Sequence, residues 1–300
     1  MNKIHNRLER LIESLTITEN QKSFLQEKVI NLFDELKNIS QNQIPYWSSL
    51  YLSKNTYQYT IDRFWLGRSF DNGLFIKNRF DINIYFVYKK NNTYPNEQNI
   101  LINSLLFELL YSNLKIYQSR HRENMKILKN PPYRYIIPIR MDYLGTSINF
   151  DCIPAMELPN GNLLIPDGIG GTKKINQALL EKDLFKLNKK QNGKLNKLII
   201  LIKYWNFNWG KPLKGNIIEC LVDYIFDKIK TIKWDRAVKT FFDQAIHIID
   251  KKKFLPDIKY YQYSILNGYS SNELKNFLEV IREAKTYAQN GEWKKIFSDL

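Results

Sequence analysis

Residues 81–83 read Asp-Ile-Asn at the head of the apolar run FDINIYFVY. Side chains alternate along a strand, so Asp81 and Asn83 project from one face while Ile82 and Ile84 enter a core. Two oxygen ligands at that spacing suit a hard cation such as Mg2+, which binds through one or two carboxylates and substrate phosphates. A further carboxylate, Asp151, stands in a second strand-like run, SINFDCIP. If the two strands are neighbours, Asp81, Asn83 and Asp151 converge. Ser69 lies twelve residues before Asp81, in the turn GRSFDNG, with a short helix expected around Phe70–Leu74. Backbone N–H groups at such a helix start, with a hydroxyl beside them, can cradle phosphate oxygens. Taken alone, an Asp-x-Asn is most often a solvated strand end. The set together points to metal-assisted handling of a phosphorylated substrate.

These residues need a sheet to hold them. Ile4, Leu8, Leu11, Ile12 and Leu15 have helical spacing over 3–16. Thr18 with Gln21 forms a capping box opening a second helix, whose Phe24, Leu25, Val29, Leu32, Phe33 and Leu36 share a face. The period then changes. Tyr57–Leu66 and Phe80–Tyr88 alternate like strands around the Gly67–Gly73 turn. A helix is expected over Glu97–Tyr111, then strands over Tyr133–Asp142 and Ser147–Ile153 with a turn at Gly145. Leu158–Gly171 (LPNGNLLIPDGIGG) reads as loop. From about Ile175 onward nearly everything reads as helix: a stripe of Leu195, Leu198, Ile199, Ile202 and Trp205, then runs near 217–229, 237–249, 272–289 and 292–297. The order predicts an α+β first lobe, 1–158, and an α-helical second lobe, 159–300.

Bulk properties narrow the partners. A chain of 300 residues, 44% hydrophobic and 14% aromatic, has the composition of a globular protein. The charged N-terminus MNKIHNRLERLIESL lacks the apolar core of a signal peptide, and no stretch approaches the ~20 apolar residues of a membrane span. Cys152 and Cys220 have no metal spacing, so a cytoplasmic location is expected. His5, His121 and His247 are scattered and support neither zinc nor histidine catalysis. The net charge of +15 favours anionic partners, although a composition rich in Lys, Asn, Ile and Tyr yields basic charge without one.

A phosphate-binding turn, metal ligands twelve and fourteen residues later and a separate carboxylate strand resemble the nucleotidyltransferase superfamily, with its pattern of G-S, D-x-D and a later lone D. The likeness is greatest to the branch of archaeal-type CCA-adding enzymes, cyclic GMP–AMP synthase, oligoadenylate synthase and the bacterial cGAS/DncV-like nucleotidyltransferases. FDCIPAMEL (150–158) looks like the family's third-Asp strand and NLLIPDG (162–168) like the loop leading to its second lobe. KLIILIKYWN (197–206) and PLKGNIIECLV (212–222) look like its Lys-bearing helix and the start of the next. The resemblance implies a polymerase-beta-like lobe with a mixed sheet over 1–158. It also implies a helical lobe over 159–300 that completes the nucleotide pocket, with the active site in the cleft between them. Asp81, Asn83 and Asp151 become metal ligands and catalytic residues, and Gly67, Ser69, Lys203 and Gly215 bind nucleotide. Lys203 takes the donor triphosphate, a task suited to a compact ammonium. The cofactor implied is Mg2+ or Mn2+ in a two-metal site. The reaction implied moves NMP from an NTP to a hydroxyl, releasing pyrophosphate. With a chain too short for added tRNA-binding domains, a cyclic or linear oligonucleotide is the expected product, in bacterial antiphage signalling to a downstream effector. Lys173, Lys174, Lys189, Lys190 and Lys251–Lys253 are candidate contacts for a nucleic-acid acceptor or activator.

The departures are specific. The family's Gly before Ser69 is Arg68, with Gly67 one place earlier; its Thr four residues after the Ser is Gly73. Its Ser-Tyr pair after PLK is Gly215 and Asn216. The second D of D-x-D is Asn83, which keeps a carbonyl ligand but loses a charge. Three readings are open: a catalytically silent nucleotide or nucleic-acid sensor, an enzyme with altered metal geometry, or an engineered replacement of an aspartate. A helical protein unrelated to nucleotides would require every match to be accidental.

Overall fold

β-Branched and aromatic residues at period two build the strands that carry the candidate ligands. The computed structural model describes residues 3–42, 59–77, 81–90, 99–128, 136–143, 146–158, 161–166, 172–175, 187–210, 212–227, 229, 233–251, 256–257, 260–264, 266 and 269–300. Its strands are β1 (Tyr59–Leu66), β2 (Asp81–Lys90), β3 (Met125–Ile127), β4 (Ile137–Tyr143), β5 (Thr146–Glu157), β6 (Leu163–Pro166) and β7 (Thr172–Ile175). They form a seven-stranded sheet in the order β1-β2-β5-β4-β3, with β6 on β5 and β7 on β6. β1 is antiparallel to β2, β2 parallel to β5, and β4 antiparallel to β5. β2 and β5 are central and parallel, so both their faces bury apolar residues. Ile82, Ile84, Phe86 and Tyr88 fill one face of β2, and Tyr85 and Val87 the other.

The chain folds into two compact units, each discontinuous in sequence, where the sequence alone suggests one break after 158. One unit holds Thr18–Asp71 and Asn78–Gln177; the other holds Met1–Ile17, Asn72–Lys77 and Ala178–Leu300. In the sheet unit, helix α2 (Glu19–Asn42) sets Phe33 against Phe64 of β1, ring centroids 4.9 Å apart. The expected capping box opens it: Thr18 N–H donates to Gln21 Oε1 at 3.0 Å, and Gln21 N–H to Thr18 Oγ1 at 3.2 Å. Helix α3 (Arg68–Asp71) is one turn, and α4 (Asn99–Arg120) packs on α2 and β5.

The helical unit comprises α1 (Lys3–Leu15), α5 (Lys194–Asn208), α6 (Gly215–Phe226), α7 (Trp234–Asp250), α8 (Ser271–Asn290) and α9 (Trp293–Ile296). α1 belongs here because its stripe of Leu8, Leu11, Ile12 and Leu15 is buried against α5 and α7. Trp234 N–H at the head of α7 donates to His5 Nδ1 at 3.2 Å.

Several elements differ from the sequence reading. α4 runs on to Arg120 instead of ending near 111, because Leu110, Leu114 and Tyr117 continue its buried stripe. The stretch read as loop from Leu158 holds a hairpin: Leu158 N–H donates to Asn162 O at 2.8 Å, and Gly161 turns the chain at φ 77°. β7 follows it, so strand extends to Ile175. Between the helical runs expected at 237–249 and 272–289, in a stretch read as nearly all helix, lies a two-stranded ribbon, β8 (Pro256–Asp257) and β9 (Tyr260–Ser264), rich in aromatics and with Pro256 in it. Residues 57, 58, 80, 97, 98, 133–135, 145 and 176–186, included in the sequence expectations, lie outside the described residues.

Candidate active site

Register brings the predicted ligands together. On the β2–β5 ladder Asp81 pairs with Asn149 and Asn83 with Asp151. Registered residues on neighbouring strands share a face, with backbones about 4.8 Å apart. Pro138 of β4 pairs with Asp151 from the other side. On the outer side of β2, Gly67 N–H donates to Asn83 O at 2.7 Å, one step beyond the Leu66–Ile84 pair. One row therefore crosses four segments: Gly67, Asn83, Asp151 and Pro138. Asp81 shares the face by alternation, one pleat earlier; its side chain is outside the described residues. Asn83 and Asp151 are half-buried, while intervening Ile82, Ile84, Phe150 and Cys152 are buried on the opposite face. Burial, with Asp151 next to it, pushes the Cys152 thiol well up, so it remains a neutral core group.

Gly67 is required where it stands. A Cβ there would lie 2.9 Å from Asn83 Cβ, inside any normal contact. The chain then turns at once: Phe70 N–H donates to Gly67 O at 2.7 Å, closing the turn that holds half-buried Ser69, and Phe70 anchors it at 1% exposure. Gly73, where the family pattern has Thr, takes φ 63°, a conformation that strains β-branched residues.

In the helical unit a second cluster is built on α5. Helix α5 has no side-chain cap from its N-cap Gly193; instead Asn196 N–H donates to Asn188 Oδ1 at 3.1 Å. Asn196 Nδ2 donates to Asn72 O at 2.9 Å, and Lys203, two turns on, donates to Leu74 O at 3.2 Å. Helix α5 thus holds the 72–77 segment at two carbonyls. Buried Asn206 donates to Leu213 O at 2.8 Å and accepts from Leu213 N–H at 2.9 Å, closing the link between helices. That return sets Gly215, first residue of α6, against Lys203: a Cβ on it would be 3.6 Å from Lys203 Cε. One turn into α6, buried Glu219 receives Lys203 Nζ at 2.6 Å.

Lys203 is thus a half-buried, ion-paired group rather than a solvated surface lysine. Glu219 and Asn206 escaped sequence reasoning, although a carboxylate inside the apolar run NIIECLV is a signal. Asn216 is exposed at the start of α6. Lys174, Lys189, Lys190 and Lys251 are exposed; the side chain of Lys173 and residues 252–253 lie outside the described residues, as do Asp167 and Gly168. His121 binds Glu35 at 2.8 Å, and His5 stacks on Trp234, both structural roles. Among the described residues no three His, Cys, Asp or Glu side chains gather for a metal, and no helix is long and apolar enough to cross a membrane. Asn83 and Asp151, registered on one sheet face, offer oxygen donors of the kind Mg2+ prefers.

No protein-family model matches the chain. A probable cyclic nucleotide synthase of Bacillus cereus is 29% identical over 168 residues, 50% of this chain and 50% of that protein. The chain thus spans about half the length of the curated relative it matches. Among solved structures, CdnC of E. coli MS115-1 with ATP has a TM-score of 0.69 at 12% identity, covering 98% of this chain and 97% of that one. The CD-NTase CdnG of Bradyrhizobium diazoefficiens with GTP has 0.68 at 10%, covering 99% and 96%. E. coli DncV with 3'-deoxy GTP has 0.67 at 12%, covering 93% and 88%. The fold is that of a polymerase-beta-like nucleotidyltransferase, a mixed sheet with a helical lobe. Within that class it is the fold of the cGAS/DncV-like nucleotidyltransferases, the CD-NTases.

Proposed function

We propose that the protein is a nucleotidyltransferase that moves NMP from an NTP to a hydroxyl, releasing pyrophosphate and building a cyclic or linear oligonucleotide. The observation carrying this reading is the parallel register of Asn83 with Asp151 in the same row as Gly67. Support comes also from a relative described as a probable cyclic nucleotide synthase and from similar folds solved with ATP, GTP and 3'-deoxy GTP.

In this reading Asp81, Asn83 and Asp151 hold divalent cations on one sheet face. Bound Mg2+ or Mn2+ would neutralise triphosphate charge and lower the pKa of the attacking hydroxyl. Asp151 supplies full charge beside Asn83, whose amide carbonyl keeps a ligand without charge. The Gly67–Ser69 turn offers backbone N–H groups and a hydroxyl to phosphate oxygens. Lys203 takes the donor triphosphate, next to Gly215, where a Cβ would lie 3.9 Å from the Lys203 ammonium. The product serves as an antiphage signal read by a separate effector, and the exposed lysines at 174, 189, 190 and 251 meet a nucleic-acid acceptor or activator.

A second reading, a nucleotide- or nucleic-acid-binding sensor without turnover, is favoured by Asn83, which takes one charge from the expected metal ligands. Incubating the protein with each α-labelled NTP in Mg2+ or Mn2+ and separating products decides between them. Labelled oligonucleotide with released pyrophosphate supports the enzyme; saturable NTP binding with no product supports the sensor.

A further inference from the structure

The cluster around Lys203 contains a carboxylate for which the reading above has no task. Glu219 is 5% exposed, and its Oε1 lies 2.6 Å from Lys203 Nζ, whose side chain is 14% exposed. A buried carboxylate without a cation is strongly unfavourable, and the same holds for a buried ammonium. The pair is therefore mutually obligatory. Its geometry is fixed from both ends: Glu219 sits one turn beyond Gly215 on α6, and Asn206 ties α6 back onto the helix that carries Lys203. Leu74 O, at 3.2 Å, gives the ammonium a second acceptor, so its position is defined by two elements besides its own helix.

We infer that Glu219 is the positioning residue for Lys203: its carboxylate holds the ammonium in place and aimed, and thereby sets the protein's grip on a polyphosphate. The inference rests on the proposed role of Lys203 at the triphosphate. Neutralising Glu219 removes the ion that stabilises the buried charge. The lysine then loses its fixed position and swings toward solvent, which weakens an anion contact despite the less negative surroundings. Glu219 itself need not touch nucleotide.

Calorimetric titration with inorganic tripolyphosphate in EDTA isolates this grip from base and metal. Glu219→Gln is expected to weaken binding at least tenfold, and Glu219→Asp, which keeps the charge, to restore most of it. In a Lys203→Met background Glu219→Gln should cause no further loss, whereas a merely structural role would add its effect in both backgrounds. If Glu219→Gln fails to fold, Lys203→Met/Glu219→Gln, which leaves no buried ion unpaired, and Glu219→Asp carry the comparison. Unchanged binding in Glu219→Gln, or additive losses, overturns the inference and leaves the function reading intact. Unchanged binding in Lys203→Met, or no saturable binding by the unaltered protein, overturns the triphosphate role of Lys203 and with it the role of Glu219.

Discussion

Gly67 and Asn83 meet backbone to backbone: the Gly67 N–H donates to Asn83 O at 2.7 Å, and a Cβ on Gly67 would lie 2.9 Å from Asn83 Cβ. The turn bearing Ser69 is thereby pinned to the strand bearing the candidate ligands. Gly67→Ala should push β1 off β2 at this row and destabilise the protein by about 1–3 kcal/mol, the range for overpacking. Chemical denaturation measures it; an unchanged midpoint would show that the row yields without cost.

Asn206 is the polar link between α5 and α6. Asn206→Ala would strand both the N–H and the carbonyl of buried Leu213. A loss of about 2 kcal/mol or more is expected, at the cost of unsatisfied buried groups. The urea midpoint should fall with the m-value unchanged. Tripolyphosphate binding should weaken too, because Gly215 and Glu219 follow Leu213.

How much of this was legible depended on whether the signal was local. Asp81 and Asn83 on one strand face follow from alternation within β2, and the Leu195–Trp205 stripe predicted α5. The parallel pairing that sets Asp151 opposite Asn83 could only be conditional in the sequence, since register is a contact between segments 68 residues apart. Glu219 reads as an oddity in an apolar helix until α6 folds back on α5. Its meaning lies in Lys203, sixteen residues earlier. The hairpin at Gly161 was hidden because a Pro- and Gly-rich stretch signals turns without saying what they join.

The capping box of α8 gives a pH test. Ser270 N–H and Oγ both donate to Glu273 Oε2, and Glu273 N–H donates to Ser270 Oγ at 3.3 Å. These bonds, those of the Ser270 backbone first, hold the Glu273 carboxyl below its ordinary range. A depressed carboxyl contributes stability above its unfolded pKa of about 4.3, and that contribution is lost as pH falls through the folded value. Glu273→Gln should therefore lower the melting temperature at neutral pH and change it little once the pH is below both values. An equal difference at both pH values would refute the capping assignment.

The proposed nucleotidyl transfer on the sheet face is tested most directly at Asp151 and Asn83, which pair in register. The direct measurement compares labelled-product formation from α-labelled NTPs in Mg2+ and Mn2+ by the unaltered chain, by Asn83→Asp and by Asn83→Asp/Asp151→Ala. Asn83→Asp is expected to raise the rate by an order of magnitude or more, since one added anionic ligand tightens metal binding and lowers the hydroxyl pKa. Removing Asp151 is expected to abolish the product. Turnover that survives the loss of Asp151, or no product from any version in either metal, would contradict the assignment of this sheet face as a nucleotidyl-transfer site.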